Sequence, residues 1–331
     1  MYKVSFQTNC YAWVPKGYTG LYPGGENTLD YSLRSLAKIG YDGVEVDCVH
    51  ILDTRLWMTS KEQRSLLKKA IADLGIEVEA LSAHEWPLPY ASFTSVDEES
   101  SKLGMEWTKG IIDLASDFGT RIVTTHVPNP QIRALKLLPG MPRGFLRGIG
   151  ERGPIFGKPR VYTEEERGLM IQRVGECADY SKDRDVIFAI EEYSPVNFWK
   201  DFIKAVGSSA LKINLHVGRV WTETYATKGV IEEPSLPEAV REFGSLIVHT
   251  HCMDYRIVSS MPPFTGQTTR PTIEVIPGAG ECDYIAFIKA LKEIGYEGYL
   301  TVECHRSDIP PEIQASQALQ NMRRMISQAT I

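Results

Sequence analysis

Two stretches decide the fold: Leu246-Ile-Val-His249-Thr-His251-Cys-Met-Asp254 and, further along, Gly298-Tyr-Leu-Thr-Val302-Glu303-Cys-His305. Each is a short, β-branched, apolar run of the kind buried in a parallel sheet, and each ends in residues that bind metals or move protons. Between them, residues 283–295 carry apolar side chains at helical spacing and finish on Gly295, a natural helix stop. Strand, helix, strand, with the chemistry at the carboxyl ends of the strands, is the building unit of a barrel or an open parallel sheet.

Working outward, the same unit recurs. Strands are predicted over 4–11, 43–48, 77–84, 121–127, 186–192 and 211–216, and helices over 28–39, 61–74, 98–118, 164–182 and 196–206, with a last helix over 310–327. With the two opening strands the total is eight. Eight strand–helix units in 331 residues fit a single-domain (β/α)8 TIM barrel spanning 1–331 better than an open sheet of five or six strands. Two long loops depart from a minimal barrel. The loop after the fourth strand holds Arg133, Lys136, Arg143, Arg147, Arg152, Lys158 and Arg160 against one acid, Glu151. It reads either as a lid offering cations to an anionic substrate or as a solvated or subunit-contacting loop. The loop after the seventh strand, 255–280, is placed to wall the other side of the same mouth.

Composition narrows the function classes. The net charge of −6 argues against a general nucleic-acid binder. No apolar run reaches the roughly 20 residues that span a bilayer, and Met1 leads straight into a strand, so the expectation is a soluble, cytoplasmic protein. The six cysteines are scattered, without a Cys-x-x-Cys pair, and read as reduced packing residues.

The strand ends present His84, His126, Glu191 with Glu192, His216, His251 with Asp254, and Glu303 with His305. Five of the seven histidines lie there, and their mixture with carboxylates points to a metal site. Imidazole and carboxylate donors without a thiolate set suit Mn2+ foremost, with Zn2+, Co2+, Fe2+ or Mg2+ as the other choices. His249, two residues before His251 on the same face, is expected to orient a neighbour from deeper in the barrel. Trp13 and Trp86, with Tyr11 and Tyr90, are candidates for stacking on a sugar face.

Ala189-Ile-Glu191, His249-Thr-His251 with Asp254, Gly278-Ala-Gly280-Glu-Cys-Asp283 and Gly295-Tyr-Glu-Gly298-Tyr-Leu-Thr-Val-Glu303 together resemble the sugar phosphate isomerase/epimerase superfamily. These are the xylose isomerase-like barrels that include ketose 3-epimerases, inosose dehydratases and apurinic endonucleases. The resemblance runs along the whole chain and implies one divalent metal held by Glu191, His216, His251 and Glu303. The sixth strand departs from the family pattern: His216 and Arg219 stand where members commonly have an aspartate and, three residues on, a histidine. Arg219 cannot ligate but can hold a substrate oxyanion.

The chemistry implied is proton abstraction next to a carbonyl of a sugar or keto-sugar, through a metal-stabilised enediolate, with Glu191 and Glu303 as base and acid. Returning the proton gives an isomerase or epimerase; expelling a β substituent gives a lyase. Cleavage of an oxidised C-glycoside with a second subunit is a variation in which His84, His126 or Arg256 supplies acid or base. A metal-dependent phosphodiesterase on abasic DNA and a non-catalytic sugar-binding barrel are the other readings. A small sugar-derived substrate, no membrane, no nucleic acid, and a homo-oligomer or second subunit complete the expectation, with Asp254, Arg219 and Arg256 among the substrate-binding candidates.

Overall fold

The computed structural model describes residues 2–12, 28–48, 61–83, 92–127, 162–191, 195–226, 234–258, 272–306 and 308–330. Eight parallel strands close into a ring: β1 Val4–Gln7, β2 Gly43–Asp47, β3 Glu77–Ser82, β4 Ile122–Thr125, β5 Ile187–Ile190, β6 Leu211–His216, β7 Ile247–Cys252 and β10 Leu300–Val302. Register Val4↔Leu300 between β1 and β10 closes the barrel. Outside it lie α1 Thr28–Ile39, α2 Lys61–Asp73, α3 Glu98–Phe118, α4 Glu164–Lys182, α5 Val196–Val206, α6 Val217–Ala226, α7 Leu236–Phe243, α8 Tyr284–Glu293 and α9 Pro311–Thr330. After β7, β8 Asp254–Ile257 and β9 Thr272–Val275 form a separate antiparallel pair. The expected (β/α)8 barrel is therefore the observed fold.

The helices start and stop for local reasons. Asp97 caps α3 by accepting the backbone N–H of Ser100, and Gly119 ends that helix at φ 73°, a left-handed conformation that costs glycine nothing. Thr163 and Glu166 form a reciprocal capping box at the start of α4. In α5 the buried residues Val196, Trp199, Phe202 and Ile203 recur at helical spacing, so one stripe faces the strands.

The apolar core lies largely between the strands and the helices, where Phe188, Phe202, Phe287, Leu36, Ile111 and Ile112 are fully buried. At about 1.5–3 kcal/mol for each large side chain, this layer carries the fold and leaves the barrel axis for polar residues. Ser5, Gln7, Glu45, Glu79, Thr124, Asn214, His249, His251 and Thr301 are all buried and are joined by hydrogen bonds across the ring, Gln7 through His251. A TIM barrel is more often filled by branched aliphatics.

Most strands are shorter than the sequence expectation, and three departures bear on the site. The first strand stops at Gln7 and turns into a 3-10 helix, Thr8–Ala12. The seventh stops at Cys252, and Asp254 already belongs to β8. The helices α6 and α7 follow β6, a region the sequence reading left unassigned.

Candidate metal centre at the carboxyl end of the barrel

Strand register brings the site together. His216 pairs with His251 across β6 and β7, and Thr301 pairs with His251 across β7 and β10. Residues two apart share a face, so Glu303 stands one step above Thr301, toward the carboxyl end. Glu191 directly follows β5, its backbone N–H bonded to the Thr125 carbonyl of β4.

Three side chains converge. Nδ1 of His251 lies 2.8 Å from Oε2 of Glu191 and 3.4 Å from Oε2 of Glu303. One nitrogen or oxygen from each of Glu191, His251 and Glu303 lies within 4.8 Å of the others. All three residues are buried. Oε2 of Glu303 also sits 3.1 Å from Nε2 of His216. Among the described residues it is the one buried carboxylate oxygen without a hydrogen-bond partner. Carboxylate oxygens of Glu191 and Glu303, the latter including the orphaned Oε2, and one imidazole nitrogen fit a divalent cation.

The other nitrogen of His251 is equally constrained. Nε2 lies 2.6 Å from Oε2 of Glu45 on β2, whose Oε1 accepts from the Thr124 hydroxyl. Burial pushes His251 toward its neutral form, but Glu45, Glu191 and Glu303 outweigh it and raise the pKa well above the ordinary imidazole value. Burial likewise disfavours the Glu45 carboxylate, and the charge of His251, with that of His249, overcomes it and lowers the pKa. Glu303, also buried, is held well below the usual carboxylate range by His251 and His305.

Deeper in the barrel a second carboxylate–imidazole pair forms. Glu79 Oε1 lies 3.1 Å from Nε2 of His249 and accepts the hydroxyls of Ser5 at 2.7 Å and Thr301 at 2.9 Å. Nδ1 of His249 is 3.0 Å from Oδ1 of Asn214, whose amide reaches Oε2 of Glu191 at 3.3 Å.

Of the other candidates, His126 is partly exposed and leans on Glu191, with Nδ1 3.3 Å from its carbonyl and Nε2 3.8 Å from Oε1. His305 places Nε2 3.3 Å from Oε1 of Glu303, and its backbone N–H donates to Glu274 of β9. Asp254 is fully buried and accepts four backbone N–H groups, from Tyr255, Gly278, Gly280 and Cys282. Its carboxylate pins the loop after β9 through these bonds. Arg256 donates to the Ala279 carbonyl. Arg219 is exposed in the first turn of α6, and its charge moderates the rise that burial imposes on the Tyr255 pKa. His84, Trp13, Trp86, Tyr90, Glu192 and the basic loop 128–161 lie outside the described residues. The six cysteines are all buried and free of disulfides.

A family model for the xylose isomerase-like TIM barrel matches residues 33–325. The chain belongs to this family. Among curated proteins, this xylose isomerase-like barrel is similar to D-psicose 3-epimerase of Enterocloster bolteae, 21% identical over 82% of this chain and 75% of that one. It is also similar to inosose dehydratase of Geobacillus thermodenitrificans, 20% identical over 86% of this chain and 84% of that one. A crystal structure of a xylose isomerase-like TIM barrel protein from Mycobacterium smegmatis, in complex with magnesium, superposes with a TM-score of 0.69 at 18% identity. It covers 100% of this chain and 98% of the other. At that identity the superposition speaks for the fold.

Glu45, Glu79 and Asn214 are the residues of this xylose isomerase-like barrel that sequence reasoning missed. A signal existed: Ser5 and Gln7, Glu45 and Asp47, Asn214 and His216, His249 and His251, Thr301 and Glu303 each place polar residues two apart on a strand. That is a continuous polar stripe on a face the closed barrel buries.

Proposed function

We propose that this protein is a divalent-metal-dependent epimerase or isomerase of a sugar or keto-sugar. The observation that carries the reading is the convergence of Glu191, His251 and Glu303, with an orphaned Glu303 oxygen, at the carboxyl end of a barrel of this family. These three residues would hold the ion, which supplies Lewis acidity to polarise a carbonyl oxygen when bound. Mn2+ is the first choice, and Zn2+, Co2+, Fe2+ and Mg2+ share the same donor preference.

The chain's own contribution is proton transfer in a site closed to water from below. Glu191 takes the proton from the carbon beside the substrate carbonyl. Glu303 returns a proton to that carbon from the other face, which inverts it. Such positioned transfer is worth about 10²–10⁴-fold in rate. His251 and His305 hold the resting Glu303 carboxyl below the usual carboxylate range, so Glu303 takes up a proton from solvent as substrate binds and delivers that proton to carbon, while Glu191 keeps the one it removed until product leaves. The similarity to inosose dehydratase over 86% of this chain favours a second outcome of the same first step, in which the substrate expels a β hydroxyl and a lyase results.

The test is incubation of the Mn2+-loaded protein with a panel of ketoses and inososes in D2O, followed by NMR. Deuterium entering beside the carbonyl, and lost in Glu191→Gln and Glu303→Gln, is the expected result. A loaded protein that labels none of the panel would overturn the reading.

A further inference from the structure

His216 ends β6, and α6 begins at the very next residue. His216 therefore occupies the position before the helix, and Arg219 is the third helical residue. The first backbone N–H groups of any helix lack partners inside it, and a side chain at the capping position ordinarily accepts one of them. Here the imidazole does so: the Arg219 N–H donates to Nδ1 of His216 at 3.1 Å. Gly218 holds this junction close to β8 and the residue before it, since a Cβ there would come within 2.6 Å of the Tyr255 ring and 2.7 Å of the Met253 carbonyl.

A backbone N–H can only donate, so Nδ1 of His216 carries a lone pair and no proton. In the neutral ring the single proton is then on Nε2, the nitrogen that faces Glu303 at 3.1 Å and Glu191 at 3.9 Å. A metal on Nε2 would require a ring stripped of both protons. Metal-bound histidines show the opposite arrangement, their remote N–H donating to an acceptor. His251, its neighbour across the β6–β7 register, has that arrangement: Nε2 meets the Glu45 carboxylate and Nδ1 points to Glu191 and Glu303. His216 belongs to no converging ligand set among the described residues, whereas Glu191, His251 and Glu303 form one.

We infer that His216 is not a ligand of the metal centre but a fixed Nε2–H donor beside a three-residue centre of Glu191, His251 and Glu303, and that it recognises an oxygen of the substrate, a sugar hydroxyl or carbonyl. This rests on the metal-centre reading given above. It also accounts for the sixth-strand departure: a ligand position has been converted into a donor position, leaving the ion one more open coordination place for substrate oxygens.

Nitrogen-15 NMR of the histidine rings, with the His216 signals assigned from His216→Asn, tests the tautomer without metal and again with one equivalent of Zn2+. His216 is expected as the Nε2–H tautomer in both states, while His251 changes its Nδ1 signal on loading. Loss of the His216 Nε2 proton on loading would overturn the inference, as would an Nδ1–H tautomer in the metal-free protein. In parallel, Mn2+ affinity of His216→Ala is expected to stay within about 10-fold of wild type, whereas His251→Ala loses the ion. The Co2+ visible spectrum of His216→Ala should match wild type, with KM raised more than kcat is lowered. A larger affinity loss, or a changed Co2+ spectrum, overturns the inference. If His216→Ala fails to fold, His216→Asn, which keeps a side chain able to accept the Arg219 N–H, carries the same measurements. A wild-type protein that takes up no ion sinks the metal-centre reading, while the metal-free tautomer still decides the state of His216.

Discussion

Nε2 of His251 lies 2.6 Å from Oε2 of Glu45, and both side chains are completely buried. Glu45 comes from β2, across the barrel from β7, so the pair spans the ring and fixes which nitrogen of His251 is left for Glu191, Glu303 and an ion. A carboxylate behind a ligating imidazole raises its basicity and sets its tautomer.

Glu45→Gln keeps an acceptor oxygen but removes the charge. Its Mn2+ affinity is expected to fall by about 10–100-fold, with Glu45→Ala at the far end of that range. Isothermal titration with Mn2+ reads this directly. Unchanged affinity in both variants would show that Glu45 does not act through His251.

The same pair makes the metal-free protein sensitive to pH in a defined direction. The folded pKa of His251 is raised, so its contribution to stability is complete below the unfolded value of about 6.5 and is lost as pH rises toward the folded value. Glu45 and Glu303 have lowered pKa values, so their contribution is present above about 4.3 and is lost as pH falls. In EDTA, Tm is expected to decline from neutral pH upward, and metal uptake near pH 7 should release protons as the ion replaces the one on Nδ1. A pH-indicator titration with Mn2+ in weak buffer measures the release. A flat alkaline Tm profile with no proton release would count against the charged His251.

Much of this was legible in the sequence. The eight strands announced themselves as β-branched runs, and the helix-ending glycines, Gly119 and Gly295 among them, placed the boundaries. The converging trio of Glu191, His251 and Glu303 falls on strand ends that end in chemistry. What the sequence concealed has physical causes. A glutamate inside a strand normally marks the solvent side of an alternating pattern, so Glu45 and Glu79 taken singly read as surface positions, and only the polar stripe shared with the other strands points to burial. The helix α6, Val217-Gly-Arg-Val-Trp-Thr-Glu-Thr-Tyr-Ala226, is dense in β-branched and aromatic residues and starts without a loop, so its propensity argues for strand. The capping role of His216 followed from that missing loop.

Asp254 is held by the backbone that surrounds it. Four backbone N–H groups around residues 255–282 donate to its two oxygens. A Cβ on Gly280 would stand 2.2 Å from Oδ1, so the backbone must come this close. Asp254→Ala should cost about 2–4 kcal/mol by leaving several donors unmet. Asp254→Asn is expected to cost nearly as much, since its amide turns a donor toward donors. Urea unfolding gives both values. A large rise in KM with unchanged stability would return Asp254 to the substrate.

Glu79 separates fold from function in the lower barrel. Its Oε1 is shared by Ser5, Thr301 and His249, three donors from β1, β10 and β7. Removing it leaves a buried imidazole and two hydroxyls without their acceptor, and breaking a buried pair of this kind costs about 3–5 kcal/mol. Glu79→Ala is therefore expected to lower stability by that amount. Glu79→Gln should lose less, because its amide oxygen still accepts but without the charge that strengthens the bonds. Mn2+ affinity measured well below Tm should be unchanged in Glu79→Gln, the reverse of the expectation for Glu45→Gln. The two carboxylate–imidazole pairs differ in one respect that decides this: His251 reaches Glu191 and Glu303 through its second nitrogen, whereas the second nitrogen of His249 ends on Asn214. If Glu79→Gln weakened the ion as much as Glu45→Gln, the Asn214 amide, which reaches both Glu191 and His251, would be the bridge that transmits the effect. Asn214→Ala in the same titration would then reproduce the loss.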